Sequence, residues 1–226
     1  MNCKWQEKQL SEIADIQTGP FGSQLHKKDY VQFGTPIVTV EHLGEKQFTL
    51  QNLPQVSDSD KERLSKYTLI EGDTVFSRVG SVDRCSYVET QHDGWMFSGR
   101  CLRVRPNHNI VDTEFIYYYF TTEKVKQFIR NSAVGATMPS INTKLLGETK
   151  VAFPTIAEQH IIARTLSALD ARIANNNAIN HHLAARSATD NSPDIKRGNN
   201  ASRIVARQAL SASKSSCFSN NGAQAA

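Results

Sequence analysis

Apolar and polar positions change rhythm along this chain, and the first rhythm, up to about residue 154, is one of short runs separated by turn residues. "TPIVTV" (Thr35–Val40) is β-branched and brief, which predicts a buried strand. "CLRVR" (Cys101–Arg105) alternates, sending Leu102 and Val104 to one face and Cys101, Arg103 and Arg105 to the other. "YTLIEGDTVFSR" (Tyr67–Arg78) is two apolar runs interrupted by Glu71-Gly72-Asp73, a turn signal between extended segments. "TKVAFP" (Thr149–Pro154) predicts a last strand, closed by a proline that cannot donate to a ladder. Between these, Ser11 to Ile16 predicts a short helix. Ser57–Tyr67 opens with capping residues and an acid-rich first turn, a second helix start. A cap at Asp112 or Thr113 predicts a third helix running to about Arg130, with Phe115, Ile116, Tyr119, Phe120, Phe128 and Ile129 as its buried stripe. The fold class is therefore α+β, with a mixed α/β domain over residues 1–154.

From about Ile156 to Leu183 the rhythm becomes that of one long helix. Ile162, Leu166, Leu169, Ile173, Asn176, Asn180 and Leu183 recur at intervals of four and three, a seam that starts apolar, turns to asparagine and closes on leucine. A solitary helix of this length is marginal in water. Burying the four leading aliphatic residues is worth roughly 1.5–3 kcal/mol each, enough to justify a partner. That partner is either a second copy of the helix, as a coiled coil, or the chain's own domain. Asparagine on such a seam costs stability but selects register and strand number.

Residues 184–226 differ in kind. Of 43 residues, 25 are Ala, Ser, Asn or Gly, a composition that predicts disorder. The segmentation is then 1–154, 155–183 and 184–226. Charge divides along the same lines. Residues 181–226 carry six Lys/Arg and two Asp, which accounts for the net +4, whereas residues 1–180 hold 20 basic and 20 acidic groups. A body without net charge does not grip nucleic acid by bulk electrostatics; a local basic face or a partner's charge is needed. The tail's charge offers either weak non-specific DNA affinity or simply a solvated extension.

Motif-based enzymatic readings fail by omission: Walker A, GxGxxG, HExxH and GxSxG sequences are absent. His181-His182, on a solvated helix end, reads as a surface pair rather than as metal ligands. Cys3, Cys85, Cys101 and Cys217 form no CxxC pair and suggest free thiols in a reducing cytoplasm. No run approaches 18 apolar residues, so no membrane span is expected, and no secretory signal is visible at the start of the sequence.

Four stretches taken in order, "TGPFGSQL" (Thr18–Leu25), "LIEGDTVFSRVGS" (Leu69–Ser81), "GATMPSINTKLL" (Gly135–Leu146) and "VAFPTIAEQHIIARTLSALDARIANNNAIN" (Val151–Asn180), resemble the specificity subunit of type I restriction–modification enzymes. The resemblance covers residues 5–183. It implies a target-recognition domain that reads one half of an interrupted DNA site, followed by a helix that acts as spacer. It also implies a non-catalytic chain that directs methyltransferase (M) and restriction (R) subunits. S-adenosylmethionine, ATP and Mg are expected on those partner subunits, with no cofactor in this chain. Most members carry two recognition domains and two helical regions; this chain has one of each. After "NNNAINHHL" the family usually continues its helix with an acidic, aromatic-containing stretch. Here "AARSATDNSPDIKRGNN" follows, which resembles translation past a frameshift or truncation.

Candidate DNA-binding residues follow from these stretches. Gly19, Phe21, Gly22 and Ser23 form a turn that could set backbone N–H groups and a hydroxyl against a phosphate or base edge, or a plain turn with Phe21 in the core. Arg78, Ser81 and Arg84, with Arg100 and Arg103, suit bidentate contact to guanine or phosphate, or else form a solvated strand face. Thr137, Ser140 and Asn142 offer donors, or make an ordinary helix-to-strand loop. The leading expectation is a sequence-specific recognition subunit, bound to double-stranded DNA and possessing a homodimeric form joined along the seam. The alternative is a truncated scaffold remnant that docks the methyltransferase without reading DNA.

Overall fold

The computed structural model describes residues 5–20 and 24–189. These fall into two units, a body of Trp5–Gln159 and a stretch that begins at His160. The body opens with β1 (Gln6–Gln9), α1 (Leu10–Ile13) and β2 (Ala14–Thr18). The helix expected over Ser11–Ile16 is thus a single turn, capped where the Gln9 N–H donates to Glu12 at 2.7 Å. The chain becomes extended at Ala14 because Ala14–Thr18 pairs with β9 (Cys101–Pro106).

Three sheets build the body. The first is antiparallel, in the order β2-β9-β6-β7, with β6 at Thr74–Ser77 and β7 at Cys85–Tyr87. The second joins β3 (Tyr30–Val31), β5 (Gln55–Val56), β4 (Thr35–Val38) and β8 (Met96–Phe97). Its β4 and β8 run parallel, with Ile37 opposite Met96. The third is the pair β1 and β10 (Lys150–Phe153), in which Gln6 lies opposite Phe153. The strand expected over Tyr67–Ile70 is absent: a 3-10 turn at Ser65–Tyr67 leads into the Gly72 turn, and only the second apolar run is a strand.

Side chains alternate across β6, so it is buried on both faces. Val75 joins Ile37, Val38, Leu69, Met96 and Phe97 in one core cluster. Phe76 points the other way and meets Phe120 edge to face at 4.9 Å. Phe120 ends α3 (Thr113–Phe120), whose N-cap Asp112 accepts from the Phe115 N–H at 2.7 Å. The single helix expected to reach Arg130 is two helices, α3 and α4 (Glu123–Ser132). At the break, the hydroxyls of Thr121 and Thr122 donate to the Tyr118 and Tyr119 carbonyls at 2.8 and 2.7 Å, a local alternative to the helical ladder. Phe128 consequently leaves the expected buried stripe and is 39% exposed, whereas Tyr117 and Tyr118 are buried.

α2 (Asp58–Arg63) and α5 (Thr143–Gly147) are short and capped by Ser57 and Asn142. The last helix, α6 (Ile156–Thr189), starts inside the body. Gln159 is fully buried there. Its side chain accepts from the Asp112 N–H at 2.9 Å and donates to the carbonyls of Pro154 at 3.0 Å and Ile110 at 3.3 Å. The helix runs on to Thr189 rather than stopping at Leu183, so residues 184–189 are helical and not part of a disordered tail. The remainder of that tail, 190–226, lies outside the described residues. At about 1.5 Å per residue α6 is roughly 50 Å long. Along its seam Leu166 is buried and Ile162 and Ile173 are half-buried, while Leu169, Asn176, Asn180 and Leu183 are exposed. Among the described residues no helix is long and apolar enough to cross a membrane.

Candidate nucleic-acid interface

The C-terminal ends of β2 and β6 and the N-terminal end of β9 lie together at one edge of the first sheet. Backbone hydrogen bonds extend this edge beyond the strands. The Gly19 N–H donates to the Cys101 carbonyl at 3.2 Å, and the Arg78 N–H to the Arg100 carbonyl at 2.8 Å. On the other side of Arg78, its carbonyl accepts from the Ile141 N–H at 2.9 Å, and the Gly80 N–H donates to the Pro139 carbonyl at 2.8 Å. Val79 bridges Ser140, which in turn bridges Val134. Segments around residues 19, 100, 78 and 134–140 therefore lie side by side, though they are far apart in sequence.

Gly19 is required by space: a Cβ there would stand 2.2 Å from the Ser98 carbonyl oxygen. Phe21, Gly22 and Ser23 lie outside the described residues. Arg78 is half-buried, and its Nη1 donates to the Gly99 carbonyl at 3.3 Å and Thr18 Oγ1 at 3.4 Å. Those bonds hold the guanidinium at the seam between the first and third strands of this edge. Ser81, Arg84 and Arg100 are exposed, and Arg84 donates through Nη2 to the Leu43 carbonyl. Among the described residues the Arg100 side chain makes no hydrogen bond or ion pair, so its charge is available to a ligand. Thr137 is exposed as well.

Three candidates are occupied or removed by the fold. Arg103 is buried at 4% exposure. Its Nη2 donates to Asp15 at 2.5 Å and its Nη1 to the Lys66 carbonyl at 3.1 Å, with Phe97 beneath the guanidinium. Alternation placed it opposite Leu102, as expected, but β9 is an interior strand covered on both faces, so Arg103 joins the core and not the interface. Ser140 donates its hydroxyl to the Val134 carbonyl at 3.2 Å. Asn142 accepts from the Leu145 N–H at 2.8 Å as the cap of α5, which leaves only its amide nitrogen for a ligand.

Arg105, the other arginine of that face, forms a bidentate pair with the buried Asp73, at 2.8 and 2.7 Å. These bonds raise the Arg105 pKa. The pair explains the Glu-Gly-Asp turn: Asp73 also accepts from the Ile70 N–H at 2.9 Å, so one carboxylate fixes both turn and strand. Burial pushes the Cys85 and Cys101 thiols up to about 12, making both neutral core fillers. Sequence reasoning missed Arg130, whose Nη1 holds Asp83 at 2.7 Å and so ties α4 to the loop between Arg78 and Arg84. No sequence signal links two residues on separate elements in this way.

A family model described as the type I restriction modification DNA specificity domain matches residues 2–185. The chain belongs to this family. A relative described as a type I restriction enzyme MjaX specificity subunit, from Methanocaldococcus jannaschii, is 26% identical over 172 residues, covering 74% of this chain and 39% of its own. The S subunit of a type I restriction-modification system from M. genitalium has a similar fold, with a TM-score of 0.59 at 20% identity over 83% of this chain and 46% of that one. A second solved chain, from work on complex assembly and conformational transition of the type I R-M system, gives 0.59 at 16% identity over 92% and 45%. This specificity-domain chain thus spans less than half the length of the relatives it matches.

Proposed function

We propose that this chain is the non-catalytic DNA-recognition component of a type I restriction–modification system. Its sheet edge reads one half of a bipartite duplex site, and partner methyltransferase and restriction subunits carry out the chemistry. One observation supports this reading above the rest: four stretches remote in sequence converge on a single edge that leaves Ser81, Arg84, Arg100 and Thr137 facing solvent, in a family described by DNA specificity. Arg100 and Arg84 supply bidentate donors for guanine or phosphate. Ser81, Thr137 and the Asn142 amide supply neutral donors, and Gly19 with Phe21, Gly22 and Ser23 supplies backbone. The balanced charge of residues 1–180 makes this a local contact completed by a partner, in the cytoplasm, with S-adenosylmethionine, ATP and Mg held by the partner subunits. We assign the exposed seam of α6 to a second copy of the chain. Two recognition bodies would then be related by a two-fold axis, and the site would be an interrupted palindrome.

The test is a methylome. Co-expressed with its methyltransferase subunit in an unmethylated host, the chain is expected to direct adenine methylation at an interrupted palindromic motif. No new methylation, with both proteins soluble, would sink the reading.

A further inference from the structure

Between Val134 and Ser140 the chain makes a closed loop that exposes two apolar side chains. Val134 and Ser140 exchange two backbone hydrogen bonds at 2.9 Å, and the Ser140 hydroxyl adds a third contact to Val134. Gly135, at φ +111°, turns the chain so tightly that a Cβ there would lie 2.8 Å from the Met138 carbonyl oxygen. The loop is further tied to the arginine-bearing segment by the Gly80–Pro139 bond. On this braced frame Met138 is 67% exposed and Val134 is 65% exposed.

Two large apolar side chains in one short, ordered loop are not explained by the body's own packing. The surface beside them supplies the complement of a polyanion: Arg100 is unpaired among the described residues, and Arg78 and Arg84 stand on the adjoining segment. In the major groove the one apolar group that base edges present is the C5 methyl of thymine, which protein apolar atoms contact directly. Methionine, unbranched and polarizable, fits such an uneven surface. Because the loop is braced before binding, little ordering cost opposes the contact.

We propose that Met138 is a specificity-determining residue that contacts a pyrimidine C5 position in the major groove. This inference rests on the reading that the sheet edge binds duplex DNA. Once the methylated motif is known, the complex of this chain with its methyltransferase subunit is titrated with duplexes altered one base at a time. Each thymine is replaced by deoxyuridine, and each cytosine by 5-methylcytosine. The wild-type complex is expected to change affinity about three- to fivefold at one position per half-site, the effect of one buried methyl. Met138→Ala is expected to abolish that difference, and Met138→Leu to retain it. If Met138→Ala shows the wild-type pattern at every position, the inference is overturned while the DNA reading stands. If the wild-type complex binds the motif no better than a scrambled duplex, the DNA reading fails and takes the inference with it. If Met138→Ala instead weakens assembly with the methyltransferase subunit in the absence of DNA, the loop belongs to a protein interface and the inference is also overturned.

Discussion

Arg100 and Arg103 lie three residues apart, at the mouth and in the interior of the same strand, and their surroundings oppose each other. The Arg103 guanidinium is enclosed by Asp15, the Lys66 carbonyl and Phe97. Arg103→Ala removes a buried, packed side chain and leaves the Lys66 carbonyl unmet, while the exposed Asp15 turns to water, and is expected to lower unfolding free energy by about 1–3 kcal/mol. Arg100→Ala removes an exposed charge and is expected to leave thermal unfolding within about 0.5 kcal/mol of wild type, while weakening motif binding and flattening its salt dependence. Paired denaturation and DNA titrations separate the two; equal losses of stability would contradict the assignment. His92 gives the pH dependence. It packs edge-on against Phe48 and Trp95, and burial lowers its pKa from 6.5, with Glu89 opposing weakly. The folded chain therefore binds this proton less readily than the unfolded chain, and its contribution to stability is complete above pH 6.5 and lost as pH falls below it. Denaturation midpoints measured on either side of pH 6.5 are expected to fall with acid, less steeply in His92→Phe; identical slopes would exclude His92 as a source.

At the scale of elements, the contribution of Gln159 is to anchor. Its one side chain satisfies the Asp112 N–H and the Ile110 and Pro154 carbonyls, joining the start of α3 to the start of α6. Gln159→Ala is expected to cost about 2–3 kcal/mol by leaving those groups unpaired; Gln159→Glu is expected to cost at least as much, since a carboxylate cannot donate to two carbonyls. Calorimetry of both variants checks this. Elements with a clear period or cap were legible in the sequence: the Ser57 and Asp112 caps, the alternation in β9, and the long period of α6. The break between α3 and α4 was not, because the six successive residues Phe115 to Phe120 are all buried and the expected stripe continues in period to Phe128 and Ile129, so the pattern does not show where α3 ends. The Arg103 assignment failed for a related reason. Alternation tells which face a side chain takes but not whether that face meets solvent, and here it is covered. The candidate edge is present in the sequence only as separate motifs. Its assembly depends on pairings between residues 78, 100 and 141, and no local pattern encodes these.

For the whole molecule, the first question is what meets α6. Leu169, 37% exposed, is a cleaner probe than Leu166, at 8%, because replacing a buried leucine also harms the fold. The full chain is expected to sediment as a dimer at tens of micromolar, and Leu169→Asp as a monomer with an unchanged circular-dichroism spectrum in the body's melting transition. A wild-type monomer at that concentration would remove the second copy from the reading. The other whole-molecule feature is the short sheet of β1 and β10, which pairs Gln6 with Phe153 and thus brings together the two points where the chain enters and leaves the body. Paired strands lie only about 5 Å apart, so the body occupies almost no length along whatever precedes and follows it. A different body with the same closing strand pair is therefore expected to be exchangeable at these two points, leaving the helix that follows unchanged.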